Sequence, residues 1–442
     1  MTRTPKILAM LGCVTLLATG CGTTGAASNV PQESGATLEI WTRTTPGGQG
    51  EAGLKKLAED FQTKSGQKVN VTAIFDDFET KLAQSATQKN LPDIVLNDSS
   101  QMGSMVAQGI VREVKLDDLS NGPNLLAPAR QAAEAIDGKH YGVPYSAQST
   151  ALLIRKDWRE KLGMEVPTTR AEMVALAEAI TTQDPDGNGK DDTAGLVVPG
   201  STKRGYASWY FSNFLWASGG DFLKDEGKGK FSPSMSSPES VEAVKWYADL
   251  QCKNKVIQPG AVSMDTPPAN EYFESGKGGM YVVGPYLMPR FDKGLGADKY
   301  EVVPVPAGPK DATVLAEGGT VYLMAGSKNE KGQSAFADYM ISPEGQKLGM
   351  AGETAFIVQL PVNKTVDVNS VRNDPRWAVY AKTYADSGRY APNVPNWTAI
   401  RQNSAETINA VLADCNLDIP AELTKLDAKI AESLAKEGIA AS

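Results

Sequence analysis

From Thr37 onward the chain alternates two kinds of apolar rhythm, and this alternation constrains its fold more than any other feature. Residues Thr37–Trp41 read as a strand, and Leu54, Leu57, Ala58 and Phe61 then recur at helical spacing within 50–64. Val69, Val71 and Ala73 alternate as a second strand, 79–88 is helical, and the apolar run at 93–96 is a short buried strand. Strands and helices joined by a few residues predict a parallel sheet with helices on its faces. The pattern resumes with clear punctuation. Thr169 and Glu172 make a capping box before a helix to about Thr181, and Pro238 opens a helix with Val241, Val244 and Ala248 on one face. A buried strand is expected at 277–286, ending in a Gly-Pro turn, with helices near 332–341, 404–414 and 421–436. No internal repeat is visible. With 442 residues, the architecture is α/β with at least two lobes.

The N-terminus is built differently. Arg3 and Lys6 precede an apolar core from Ile7 to Thr19, too short to span a bilayer, as in a secretory signal peptide. Ala18, Thr19 and Gly20 lead into Cys21, which resembles a bacterial lipobox in which Cys21 is lipidated. Ala18 departs from the larger aliphatic residue usual there, and ordinary secretion is the alternative. Residues 1–20 are then a signal peptide and 21–36 a small, polar, flexible tether. Without residues 1–20 the chain has 42 basic and 52 acidic residues, a balance of −10, and no basic run. That excludes nucleic acid as a partner. Outside the targeting segment only Cys252 and Cys415 remain, so an oxidising compartment allows one disulfide between them or two buried thiols. His140 is the single histidine, which removes His-rich zinc sites.

One motif points to a cation. In the stretch 184–193, Asp184, Asp186, Asn188 and Asp192 alternate, and Lys190 would offer its backbone carbonyl. This is the ligand spacing of an EF-hand-like calcium loop. Gly195 stands at the twelfth position in place of a bidentate glutamate, so a full EF-hand is excluded. A structural calcium ion is expected, with a metal-free Asx/Gly turn as the alternative.

Several stretches, in order, resemble the extracellular sugar-type solute-binding proteins of ATP-binding-cassette (ABC) importers, of which maltose-binding protein is an example. They are LEIWTR (38–43), LPDIVLND (91–98), GKHYGVPY (138–145), ALLIRKD (151–157) and LWASGGDF (215–222), then GKGGMYVVGPY (276–286), AEGGTVYLMAGSKN (316–329) and SPEGQ (342–346). The resemblance implies a two-lobed, periplasmic-binding-protein-like fold of type II. Each lobe would be a mostly parallel sheet flanked by helices, with crossing strands as the hinge. Residues 37–147 and about 318–366 would form one lobe, and about 148–317 and 367–442 the other. Solute would then sit between the lobes, outside the C-terminal ends of the strands. Trp41, Arg43, Asn97, Asp98, Tyr145, Tyr286, Gly318 and Gly319 fall at such positions. A sugar has apolar faces and a rim of hydroxyls, so the aromatic candidates are Tyr145, Trp209, Tyr286 and Trp397. The polar ones are Arg43, Glu79, Asn97 and Asp98. For each aromatic, packing in the core is the alternative, and Arg43 would equally suit an acidic sugar. The family often has tryptophan where Tyr286 stands. The implied function is that of a monomeric, lipid-anchored receptor on the outer face of the cytoplasmic membrane, in a Gram-positive type of envelope, delivering sugar to a membrane permease. It performs no catalysis and needs no cofactor beyond the calcium ion. A secreted glycosidase or lyase, and a receptor for a polyamine, are the competing readings.

Overall fold

The computed structural model describes residues 36–441, so Cys21 and the targeting segment lie outside the described residues. The expected alternation opens the fold. Strand β1 (Leu38–Thr42) leads to a helix at Gln49–Ser65, then β2 (Val69–Ala73), a helix at Phe78–Thr87 and β3 (Ile94–Asp98). Leu38, Ile40, Ile94 and Leu96 are buried with Leu54, Leu57 and Phe61 of the first helix, as their spacing requires. Each such side chain stabilises the lobe by roughly 1.5–3 kcal/mol.

The chain leaves this sheet through β4 (Val143–Pro144), β5 (Gln148–Ser149) and β6 (Ala151–Arg155). It then builds β7 (Ala194–Val197), a β8–β9 hairpin (Leu223–Gly227, Lys230–Pro233), β10 (Gly278–Val283) and β11 (Tyr300–Val303). It returns through β12 (Val314–Glu317) and β13 (Gly319–Leu323), and β14 (Gly388–Arg389) pairs with β12. One sheet has the order β2-β1-β3-β13-β4, the other β11-β6-β10-β7. In the first, β13 runs against both neighbours while β1, β2 and β3 are parallel. In the second, β6 is the reversed strand. Each sheet is therefore mixed, with one strand opposed to the rest, and the cause is the hinge. A strand entering a lobe from the hinge starts at the cleft, whereas the others end there. The β5–β12 pair is antiparallel, with Ala316 opposite Ser149 and Glu317 opposite Gln148. Asn213 Oδ1 accepts hydrogen bonds from the Thr150 hydroxyl (2.5 Å) and the Leu315 N–H (2.9 Å), pinning both crossing strands to one helix.

The capping box is present: Thr169 accepts from the Glu172 N–H and the Glu172 carboxylate reaches back to the Thr169 N–H. The helix expected near 404–414 begins earlier, at Trp397. Its first residue follows Asn396, a residue type that favours helix starts, although here its side chain makes no capping bond and its amide donates to the Ser433 hydroxyl instead. Cys252 and Cys415 are joined by a disulfide with Cα atoms 5.5 Å apart. It closes a separation of 163 residues, a crosslink worth a few kcal/mol in the chain-entropy account. No helix among the described residues is long and apolar enough to cross a membrane.

Candidate functional site

The C-terminal ends of β1, β2 and β3 carry a charged cluster. Arg43, one residue past β1, donates from Nη1 to Asp98 Oδ2 at 3.1 Å, and its Nε lies 3.7 Å from Glu79 Oε1. Its guanidinium also covers the Phe75 ring, 5.3 Å from the centroid, and Phe75 is 44% exposed. Glu79 takes a second cation from the opposite lobe, with Arg204 Nη2 donating to Oε1 at 3.2 Å. Arg204 has φ +53°, a left-handed conformation costing a non-glycine residue about 1 kcal/mol. Two guanidinium groups, from segments 161 residues apart in the chain, thus meet at one carboxylate.

Asn97 and Asp98 end β3 beside the returning strand, with Gly319 paired to Asp98 and Thr320 to Asn97. Gly318 and Gly319 are required by close approach. A Cβ at Gly319 would overlap the Tyr145 ring, and one at Gly318 the Ser146 carbonyl. The hydroxyl end of the Tyr145 ring therefore sits close against Gly319, the ring stacks on Phe356 at 5.3 Å, and the Tyr145 backbone N–H donates to the Gly319 carbonyl at 2.9 Å. Burial, with the Asp98 charge nearby, pushes its phenol well above the ordinary range. Tyr286 sits in the turn after β10, and burial raises its phenol likewise, with smaller contributions from Tyr281, Glu317, Tyr206 and Asp98.

The other wall is the helix Tyr206–Ala217. Trp209 is half-buried there, edge-on to Tyr210, and lines a narrow cavity with Ser208, Trp216, Glu317, Trp397 and Arg401. Trp397 is only 5% exposed and packs edge-on against Phe222, so most of its ring belongs to the core. Trp41 is partly buried and packs one side against the cluster of Phe78, Met102 and Tyr322. Arg43, Glu79 and Asp98 form one contact set. Tyr145 and Tyr286 lie within electrostatic reach of Asp98, Trp41 is partly buried, and Trp397 is mostly taken up in packing.

Sequence reasoning missed Glu317, Gln148, Arg204, Arg401 and Phe75. Glu317 ends β12, where burial and the nearby Asp98 push its carboxyl up to about 7, against the pull of Arg401, Trp209 and Arg43. Three buried polar atoms around this space find no hydrogen-bond partner among the described protein atoms: Arg43 Nε, Asn97 Nδ2 and Gln148 Oε1. Arg155 Nη1, Arg170 Nε, Tyr247 Oη, Gln251 Oε1 and Arg372 Nε are unpartnered elsewhere, so what singles out these three is their place at the ends of β1 and β3 and on the crossing strand β5, where a bound molecule could satisfy them. Donors and acceptors flanked by aromatic faces can bind a polar solute without any bond being made or broken.

The loop 184–192 is different in kind. Asp184 accepts from the backbone N–H groups of Gly187, Asn188 and Gly189 at 3.0 Å. The Gly189 N–H above all, helped by Asp186 and the N–H groups of Asn188 and Gly187, holds the Asp184 carboxyl below the usual range against the opposing effect of burial. Asp186 and Asp192 converge on the Asn188 side-chain nitrogen, at 2.8 and 3.0 Å. The Lys190 N–H donates to Asn188 Oδ1 at 2.8 Å. No group of three or more His, Cys, Asp or Glu side chains is arranged to hold a metal among the described residues.

Three likenesses agree with this geometry. A binding protein of Brucella abortus (strain 2308) is 26% identical over 286 residues, 62% of this chain and 64% of that protein, so the chain spans under two thirds of that relative's length. A maltooligosaccharide ABC transporter solute-binding lipoprotein of Streptococcus pneumoniae is 25% identical over 78% of each chain. The GacH receptor of Streptomyces glaucescens, solved unliganded and with acarbose, superposes with a TM-score of 0.76 at 24% identity, covering 90% of this chain and 98% of that one. The bacterial extracellular solute-binding protein profile matches residues 46–347, about two thirds of the sequence, and the chain belongs to that family.

Proposed function

We propose that this protein captures a carbohydrate between its two lobes and delivers it to the membrane permease of an ABC importer. The observation that carries the reading is the set of buried atoms without a hydrogen-bond partner, Arg43 Nε, Asn97 Nδ2 and Gln148 Oε1, in a region that also holds the partly buried rings of Tyr145, Tyr286 and Trp209. A sugar's hydroxyls donate and accept at once, so they can satisfy all three, while the rings cover its C–H faces. The similarity to a maltooligosaccharide receptor and to an acarbose receptor supports the same class of ligand. Arg43, Glu79, Asn97, Asp98, Tyr145 and Tyr286 are the proposed contacts, with Gly318 and Gly319 giving the solute access to backbone. The lobes are taken as 37–147 with 318–366, and 148–317 with 367–442, closing about β5 and β12. Binding is the whole activity, with no catalytic step.

The protein would act as a monomer on the outer face of the cytoplasmic membrane, held by lipidated Cys21. Calcium at 184–192 belongs to the same proposal. Rotating the Asn188 amide would bring its oxygen where the nitrogen now sits, between Asp186 and Asp192, giving a weak oxygen-lined site completed by water.

A thermal-shift screen against mono- and oligosaccharides and spermidine tests the reading. One saccharide class should raise the melting temperature, by the equivalent of ~2.7 kcal/mol at a hundredfold excess over Kd. Stabilisation by spermidine alone, or by nothing, would overturn it.

A further inference from the structure

The strands crossing between the lobes set two acceptors side by side on the cleft floor. Glu317 stands directly opposite Gln148 in the antiparallel β5–β12 pair, so both side chains leave the same face, about 5 Å apart at Cβ. Gln148 is 6% exposed and its Oε1 is unpartnered among the described atoms. The ion pairs of the cleft run Arg43–Asp98, Arg43–Glu79 and Arg204–Glu79 and leave Glu317 out. Its carboxyl is faced by Asp98 and Arg43 from the first sheet, Arg401 from the helix Trp397–Ala413, and Trp209 from the helix Tyr206–Ala217. Tyr286 and Tyr390 also lie close, the Tyr390 hydroxyl donating to the Glu317 carbonyl at 3.4 Å.

We infer that Glu317 is a specificity-determining residue of this site: beside Gln148 Oε1, its carboxylate accepts hydrogen bonds from adjacent hydroxyls of a neutral saccharide and turns away sugars bearing a carboxylate. The inference rests on the carbohydrate reading above. A carboxylate is an acceptor only, and Gln148 adds a second acceptor, so the floor calls for paired donors, which a vicinal diol supplies. A uronate would set its own negative charge against Glu317 and Asp98 in a poorly solvated space, where Arg43, the cation that would otherwise suit it, is already committed to Asp98 and Glu79. An ammonium group would meet Arg43 and Arg401. A neutral polyhydroxyl ring meets neither conflict. Because burial and Asp98 hold the Glu317 carboxyl near 7, ligand hydroxyls that favour its ionised form must bind more tightly as pH rises.

Tryptophan fluorescence of the full chain reads the test, since Trp209 and Trp397 line the cavity beside Glu317. Maltotriose, 1-kestose and trigalacturonate are titrated at pH 6 and pH 8 into the wild type, Glu317→Gln and Glu317→Asp. A neutral probe should bind the wild type about tenfold more tightly at pH 8 than at pH 6, following the fraction of ionised carboxyl. Glu317→Gln should lose about tenfold or more in affinity at pH 8 together with the pH slope, and Glu317→Asp should keep the slope. Trigalacturonate should not bind the wild type. The inference is overturned if Glu317→Gln retains either the affinity or the slope, or if trigalacturonate binds the wild type as tightly as the neutral probes. Should Glu317→Gln fail to fold, the wild-type slope and the trigalacturonate titration still decide. Failure of every saccharide to bind the wild type is a separate result and would overturn the carbohydrate reading itself.

Discussion

The cleft and the 184–192 loop are both rich in aspartate, asparagine and glycine, yet they differ in where their polar atoms find partners. In the loop, Asp184 is taken up by three backbone N–H groups and Asp186 and Asp192 by the Asn188 amide, on an exposed surface. In the cleft, Arg43 Nε, Asn97 Nδ2 and Gln148 Oε1 are buried without a hydrogen-bond partner, Arg43 Nε having only the Glu79 carboxylate at 3.7 Å. An acidic residue on the surface costs nothing to leave in water, whereas a buried polar atom without a partner costs about 1–3 kcal/mol. Such a cost persists where another molecule repays it. Residue type alone therefore separates these two regions poorly, and unsatisfied burial separates them well.

That contrast is open to attack from both sides. The largest effect is expected at the cleft: Arg43→Ala should weaken saccharide binding by roughly 2–3 kcal/mol, about 30- to 150-fold, because it removes donors and leaves Asp98 without its ion-pair partner. Calorimetric titration measures this, and a variant binding within threefold of wild type would remove Arg43 from the site. Next comes the stability of the unliganded protein. The folded-state pKa of Glu317 is raised, so its favourable contribution is complete below the ordinary carboxylate pKa and is lost as pH rises through about 7. Glu317→Gln should therefore match the wild type in urea unfolding near pH 5 and exceed it by roughly 1–3 kcal/mol at pH 8. Lower stability of the variant at pH 8 would mean that the ionised carboxylate is already well served in the free protein. The smallest effects belong to the loop. Asp186→Asn with Asp192→Asn should change unfolding free energy in a chelator by less than about 0.5 kcal/mol and leave sugar affinity unchanged. Millimolar calcium should raise the wild-type melting temperature by only a degree or two and not raise that of the double variant. An equal response of both proteins to calcium would show that the loop is a hydrogen-bonded turn and nothing more.

Much of the fold was legible because periodicity and capping act locally. The strands and helices from Leu38 to Asp98 and the Thr169–Glu172 capping box lie where apolar spacing and side-chain chemistry put them. Arg43 and Asp98 were legible as cleft candidates because both sit at the C-terminal ends of neighbouring strands. Glu317 and Gln148 were not, since their meaning comes from the β5–β12 register, which joins residues 169 positions apart. Arg204 was hidden for another reason: only its left-handed backbone and the packing of two lobes bring it to Glu79. Trp397 looked like a ligand platform and is mostly core, a distinction that burial makes and sequence does not.

The most direct test is a crystal structure of the protein with the saccharide that stabilises it most. Hydroxyl oxygens should stand within hydrogen-bond distance, about 3.2 Å or less, of Arg43 Nε, Asn97 Nδ2 and Gln148 Oε1. A saccharide seated elsewhere, with those three atoms still unpartnered, would contradict the claim that unsatisfied burial marks the binding site.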